Sequence, residues 1–475
     1  MNIQATLPLV IFFILIFAAG LYAAKYVKSS ETFLQEYFLG SRQLGGFVLA
    51  MTMIATYGSA SSFLGGPGAA YHYGLAWVLL AMIQVVTGYF VLMVLGKKFA
   101  IMARKYNAVT ITDFVRSRYN SHWVGILSAA SIVLFLFSAM TAQWVGGARL
   151  IESVAGLSYT SSLFIFAASV LVYVVIGGFR AVAITDAIQG TVMLGGTILL
   201  LAAAIVAGGG IDNIMTELRN ENPNILSPYG SDKNLTPLYL SSFWILVGVG
   251  VVGLPQVSVR AMSYKDAKAM HRAILIGTAV IGTIMLGMHL AGVFARVIVP
   301  GITVPDTVMP TLALSILPPW AAGIVLAAPM AAIMSTVDSL LLLVASAIIK
   351  DVYVGYISPN AHEKKIKAYS MTATALIGGA VFLLAINPPY LLIWLNLFSF
   401  GGLEAVFLWP IVLGLYWRKA NKHGALSCML TGMGSYMAFH FLWPEPFGMH
   451  TVVLPIVLSL VIFIAVSLFT QKAVR

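Results

Sequence analysis

Long apolar stretches, separated by short polar ones, run the whole length of the chain and set its elements. About 20 apolar residues suffice to carry a helix across the hydrocarbon core of a bilayer. Thirteen such stretches can be placed, at 5–24, 45–70, 75–100, 123–148, 159–178, 184–208, 237–258, 273–297, 318–348, 368–386, 390–416, 424–443 and 450–470. The pattern predicts an all-α integral membrane protein of thirteen transmembrane helices in a single membrane domain, 1–475. The first stretch is followed, not preceded, by its basic residues, Lys25 and Lys28. A basic leader region is therefore missing, and the stretch reads as a retained helix rather than a signal peptide.

Two spans are interrupted. The second carries Gly58-Ser-Ala-Ser-Ser-Phe-Leu-Gly-Gly-Pro-Gly68, and the seventh carries Gly248-Val-Gly250, Gly253 and Pro255. In lipid a broken helix is tolerated where protein or a water-lined cavity satisfies the freed backbone. A matched pair, five spans apart, predicts inverted five-helix repeats around a midplane site. Repeat one covers 45–208 and repeat two 237–416, flanked by helices 5–24, 424–443 and 450–470. The competing reading is that these glycines merely permit close helix packing.

The ninth span holds Pro329-Met-Ala-Ala-Ile-Met-Ser-Thr336. Ser335 and Thr336 are adjacent hydroxyls at membrane depth, and Ala332 shares a helix face with Ser335. Hydroxyl and carbonyl oxygens are hard, neutral ligands suited to an alkali cation that binds and leaves again. The alternative is that both hydroxyls bond back to carbonyls four residues earlier. Asp338 is two residues past Thr336, roughly 200° around the helix, which makes it a poor co-ligand. Intramembrane Asp338 and Glu404 are functional candidates by default.

Composition narrows the class further. Of 475 residues 60% are hydrophobic and 9% charged, against about 25% charged in a soluble domain, so no soluble domain is expected. The net charge of +11 is spread over short loops. With the N-terminus outside, the outer loops keep Arg149, Arg219, Lys233 and Arg296, and the rest of the 27 basic residues fall inside. That bias follows the positive-inside rule and argues against nucleic-acid binding. It also puts the C-terminus in the cytoplasm. Cys428, the lone cysteine, reads as a packing residue, and His289 as a helix–helix hydrogen-bond partner. The loop 209–236 is expected to be partly ordered, and Pro300 to Pro319 to hold a short surface helix. No nucleophile–base pair, phosphate loop or metal cluster supports an enzyme. No continuous polar face on several spans supports a channel. The chain ends five residues past the last span, so no signalling region is expected. The remaining reading is an ion-driven carrier.

The stretch from Gly146-Gly-Ala-Arg149 to Gly177-Gly-Phe179, together with Pro329 to Thr336, resembles the sodium:solute symporter family. The resemblance runs from residue 1 to about 470. It implies a LeuT-like core of inverted repeats, sodium as coupling ion and no other cofactor. Matched residue by residue, it implies a sodium site of the backbone carbonyls of Ala55, Gly58 and Ala332 and the hydroxyls of Ser335 and Thr336. Asp186 would help sodium leave towards the cytoplasm, with an ion pair to Arg180 as the alternative. Tyr57 stands where proline-carrying relatives have an Asp, which opens the question of how coupling is tuned.

Several passages resemble members that carry pantothenate. They are Glu36-Tyr-Phe-Leu-Gly-Ser-Arg42, Ser59-Ala-Ser-Ser-Phe63, Gly65-Gly-Pro-Gly-Ala-Ala-Tyr71, Gly96-Lys-Lys-Phe-Ala100, Pro318-Pro319 with Ala321-Ala-Gly323, and Gly401-Gly-Leu-Glu-Ala-Val-Phe-Leu-Trp-Pro410. Pantothenate, sodium and membrane lipid are then the expected partners, in a bacterial cytoplasmic membrane, with no nucleic acid and no obligate protein partner. Proline, a sugar or a short monocarboxylate is the alternative solute. Pantothenate is an anion with two hydroxyls and an amide. No Lys or Arg is expected at the midplane, so its carboxylate would face half-helix N-termini or bound sodium. The candidate contacts are Ser59, Ser61, Ser62, Gln84, Gln143, Trp244, Gln256, Asn396 and Ser399.

Overall fold

Helix covers every expected apolar stretch in the computed structural model, which describes residues 3–24, 42–232 and 235–471. Among the described residues no strand forms, and a single isolated bridge joins Leu44 to Tyr264. Among the described residues seven helices are long and apolar enough to cross a membrane, or nine when each of two bent pairs counts as one span. The bent pairs are the two interrupted stretches: Gly46–Tyr57 with Ser61–Tyr73 at 69°, and Pro237–Gly253 with Pro255–Met262 at 51°. The helices Ile3–Ala24, Lys422–Leu442 and Val453–Phe469 fill the first, twelfth and last stretches. Basic residues Lys25, Lys28, Lys233, Lys472 and Arg475, and the motif from Glu36 to Ser41, lie outside the described residues.

The polar gap expected between the fifth and sixth spans does not interrupt the backbone. Helix runs without a break from Tyr159 to Ala207, 49 residues. Straight, it would measure about 74 Å, more than twice the roughly 30 Å hydrocarbon core. The glycines and Arg180 in that gap are therefore helical residues, not a loop. The side chains of 175–184 are not described.

The ninth span is the most enclosed element. It continues from Pro319 to Ile357, and 94% of its most apolar window is buried. Its hydrophobic residues pack on all sides, as expected for a helix that is apolar all round. Polar contacts between loops join segments expected on the same side of the membrane. On one side, Arg296 pairs with Glu221 at 2.7 Å, and the Ser231 hydroxyl donates to His72 O at 2.9 Å. On the other, Lys350 pairs with Asp113 at 3.4 Å, and Arg118 Nε donates to Gly414 O at 2.6 Å. Helix Ile211–Glu221 orders the long loop. Helix Val308–Ile316 is present as expected, but it is not a surface helix. Val308, Met309, Leu312 and Ala313 are fully buried.

Candidate functional site

The second span stops being helical at Gly58, whose backbone is extended (φ −69°, ψ 120°). The N–H of Ala60, two residues on, therefore has no carbonyl below it. Gln143 of the fourth span supplies one, accepting from Ala60 N at 2.8 Å, while its own Nε2 donates to Ala139 O at 3.3 Å. A side-chain amide thus replaces a helical carbonyl, as a break at membrane depth requires. Gly146, one turn along the fourth span, permits the approach. A Cβ there would sit 2.5 Å from that of Ala60.

The ninth span meets this break with its two hydroxyls. Ser335 Oγ lies 2.7 Å from Ala55 O, 2.8 Å from Ala331 O and 3.1 Å from Ala332 O. Thr336 Oγ1 lies 2.9 Å from both Gly58 O and Ala332 O, and 3.4 Å from Ala55 O. All five oxygens expected at a sodium site come together. Back-bonding and cross-helix contact coexist here rather than compete. Each hydroxyl has one hydrogen and faces three carbonyls, so lone pairs outnumber the hydrogens that can meet them. The result is a neutral but electronegative pocket, which suits a small hard cation.

A buried polar chain follows directly from these residues. Thr56 Oγ1, next to Ala55, is 3.2 Å from Ser339 Oγ, one turn past Ser335. Ser339 Oγ accepts from Arg260 Nη2 at 2.7 Å. The same nitrogen is 3.8 Å from Asp186 Oδ2, which accepts from the Thr52 hydroxyl at 2.5 Å. This corrects one expectation. Arg260 is no loop residue: it is 2% exposed, inside the bundle, where no basic residue was expected. Asp186 pairs with Arg260, and the Arg180 side chain lies outside the described residues. His289 also differs from expectation. Its Nδ1 is 2.7 Å from Met285 O of its own helix, not of a neighbour.

A cavity opens beside the break. Ser61, Ser62, Gln84 and Asn396 line it, together with the aromatic rings of Trp77, Phe243 and Phe400 and the unexpected Tyr57 and His289. Ser61 and Ser62 begin the second half of the broken helix, so the cavity faces a helix N-terminus and its partial positive charge. The other candidates are elsewhere. Gln143 is committed to the break. Ser59, Gln256 and Ser399 are buried outside the lining. Trp244 is 51% exposed and turns away from the interior. Aromatic residues at the cavity were missed because intramembrane rings look like packing in sequence.

The profile of the Sodium:solute symporter family matches residues 37–432. The chain belongs to the sodium:solute symporter family. It is 50% identical over 478 residues to the sodium/pantothenate symporter of Haemophilus influenzae, covering 100% of this chain and 98% of that protein. It is likewise 50% identical over 471 residues to the sodium/pantothenate symporter of Escherichia coli, covering 99% and 97%. Among solved structures, an outward-open, substrate-bound Na+-coupled sialic acid symporter with a novel Na+ site superposes with a TM-score of 0.81 at 16% identity. The match covers 99% of this chain and 98% of that one. At that identity the likeness bears on the fold alone. The chain is thus a multi-pass membrane transporter of this family, built on the fold of its sialic-acid-carrying structural neighbour.

Proposed function

We propose that this symporter couples inward sodium movement to uptake of pantothenate across the bacterial cytoplasmic membrane. The observation that carries the solute is the end-to-end 50% identity to two sodium/pantothenate symporters. Convergence of the Ala55, Gly58 and Ala332 carbonyls with the Ser335 and Thr336 hydroxyls supports the ion site. The reading includes thirteen spans in inverted repeats, an external N-terminus and a cytoplasmic C-terminus.

Sodium enters between the second and ninth spans. The hydroxyl hydrogens rotate away and the five oxygens turn their lone pairs inward. The ion then ties the second span's first half to the ninth span, which fixes the break and with it the start of the second half. That start, at Ser61 and Ser62, lines the cavity. The cavity, about 30 Å³ in this conformation, widens to admit pantothenate, whose carboxylate takes the helix N-terminus there. Gln84 and Asn396 take hydroxyl or amide groups, and the rings of Trp77, Phe243 and Phe400 cover its methyl groups. Because both ligands organise one break, each tightens the other by the same factor.

Thr52 and Ser339 each lie one turn further towards the expected inner face than the ion ligands of their own helix. The Asp186–Arg260 pair between them closes the way in, and its parting lets sodium leave with Asp186 as a stepping stone. Binding of labelled pantothenate to the purified protein tests this reading. Sodium is expected to promote binding and potassium not to. Equal binding in both salts would refute the coupling.

A further inference from the structure

The seventh span breaks where the eleventh packs against it, and Glu404 of the eleventh lies at that break. Its side chain is 0% exposed, and among the described residues neither carboxylate oxygen has a hydrogen-bond partner. It touches backbone instead. A Cβ on Gly250 would fall 2.4 Å from Glu404 Oε2, and one on Gly253 would fall 3.1 Å from Glu404 Cα. Two glycines of the broken segment therefore make the room that the acid occupies. The backbone around it is irregular. A π-helical stretch, Trp244–Val249, passes through a 3-10 turn to the extended Leu254 and then Pro255.

No Lys, Arg or His among the described residues forms an ion pair with Glu404. The titratable groups in electrostatic contact with it are two buried phenols, Tyr57 of the second span and Tyr436 of the twelfth. The Tyr436 hydroxyl donates to Phe398 O at 3.0 Å and so is engaged away from the acid. The fourth span presents the ring of Phe135 over neighbouring Gly402. A carboxylate here would have given up its water with no donor in return among the described residues.

We propose that Glu404 is a proton-binding site at the break of the seventh span. It holds its proton while the break is sealed and exchanges it with water when the break opens. The ligand is the proton itself, taken up as the carboxylate becomes the acid and given back to water on ionisation. The two interrupted helices then differ in cargo: the second serves sodium, the seventh a proton. The sign follows from linkage. The sealed conformation binds the proton more tightly than the open one, so it is favoured at low pH and loses that advantage as pH rises. The pH thus acts on the carrier without touching the sodium ligands, and the proton site does not depend on which solute is carried.

Infrared spectra of the full-length protein in lipid, with isotope-labelled glutamate, test this at neutral pH. A label-sensitive carboxylic-acid carbonyl band is expected in the wild type and is lost in Glu404→Gln. Absence of any such band in the wild type overturns the proposal, whether or not the variant folds. Loss of carboxylate absorption in the variant, with the acid region unchanged, overturns it too. Sodium-driven uptake gives a second reading. The rate should fall towards acid pH in the wild type, and the fall should be lost in Glu404→Gln. An identical pH profile in both contradicts the role in turnover. Failure of sodium to drive uptake in either protein would count against the transport reading, while the infrared result would still decide the proton site.

Discussion

Ser335 and Thr336 each face three carbonyl oxygens with one hydrogen to give. Removing either hydroxyl leaves those carbonyls and takes one ligand from the proposed cation site. Ser335→Ala and Thr336→Ala should each raise half-saturating sodium about tenfold, equivalent to about 1.4 kcal/mol. Thr336→Ser should stay near the wild type. Sodium titration of solute uptake checks this, and unchanged half-saturation in both alanine variants would remove the site. These two residues were legible from sequence because paired hydroxyls stand out in an apolar run. Ala55 and Gly58 were not, since a carbonyl ligand leaves no mark on the side chain, and they entered through family resemblance. Arg260 was misplaced because it stands near Lys265, Lys268 and Arg272 in a stretch that looks like a basic loop. Its buried pairing with Asp186 leads to a second prediction. Removing one partner of a buried pair costs roughly 3–5 kcal/mol. Arg260→Ala and Asp186→Asn should each lower the thermal unfolding temperature markedly, and the double variant should lose less than their sum. Additive losses would mean that the pair is not a working contact.

At the scale of elements, the break of the second span is held open by a side chain from another helix. Gln143→Ala strands the Ala60 N–H, at a cost of about 1–3 kcal/mol for an unsatisfied buried donor. Because the break shapes both the cation pocket and the start of the cavity, affinity for sodium and for solute should fall together. Gln143→Glu keeps an acceptor and should recover part of both. Loss of solute affinity alone would make Gln143 a substrate contact rather than a brace, which was its sequence reading. The two breaks themselves were legible, because clustered Gly, Ser and Pro in an apolar run have few uses at membrane depth. The uninterrupted helix Tyr159–Ala207 was not. Gly177, Gly178 and Arg180 read locally as a turn, yet a helix satisfies its own backbone and can persist through residues that favour one.

At the scale of the molecule, the polar loop contacts join segments that the charge distribution had put on one side. The sixth, seventh and ninth spans are bound to the second through the chain from Asp186 to Thr56. The proposed cation site and the proposed inner closure therefore lie one turn apart, which is the arrangement that coupling needs. The overall fold could be anticipated from apolar length and matched interruptions. The solute was legible only through passages that resemble pantothenate-carrying members, and the cavity lining was not, because its rings and amides are drawn from five spans that no local pattern connects. The central claim is that a sodium gradient drives pantothenate through this fold. Uptake of labelled pantothenate into proteoliposomes holding the purified protein tests it most directly. Accumulation above the external concentration is predicted when sodium is higher outside, with none when sodium is equal on both sides. Equal accumulation with and without the gradient, or none in either case while another solute accumulates, would contradict it.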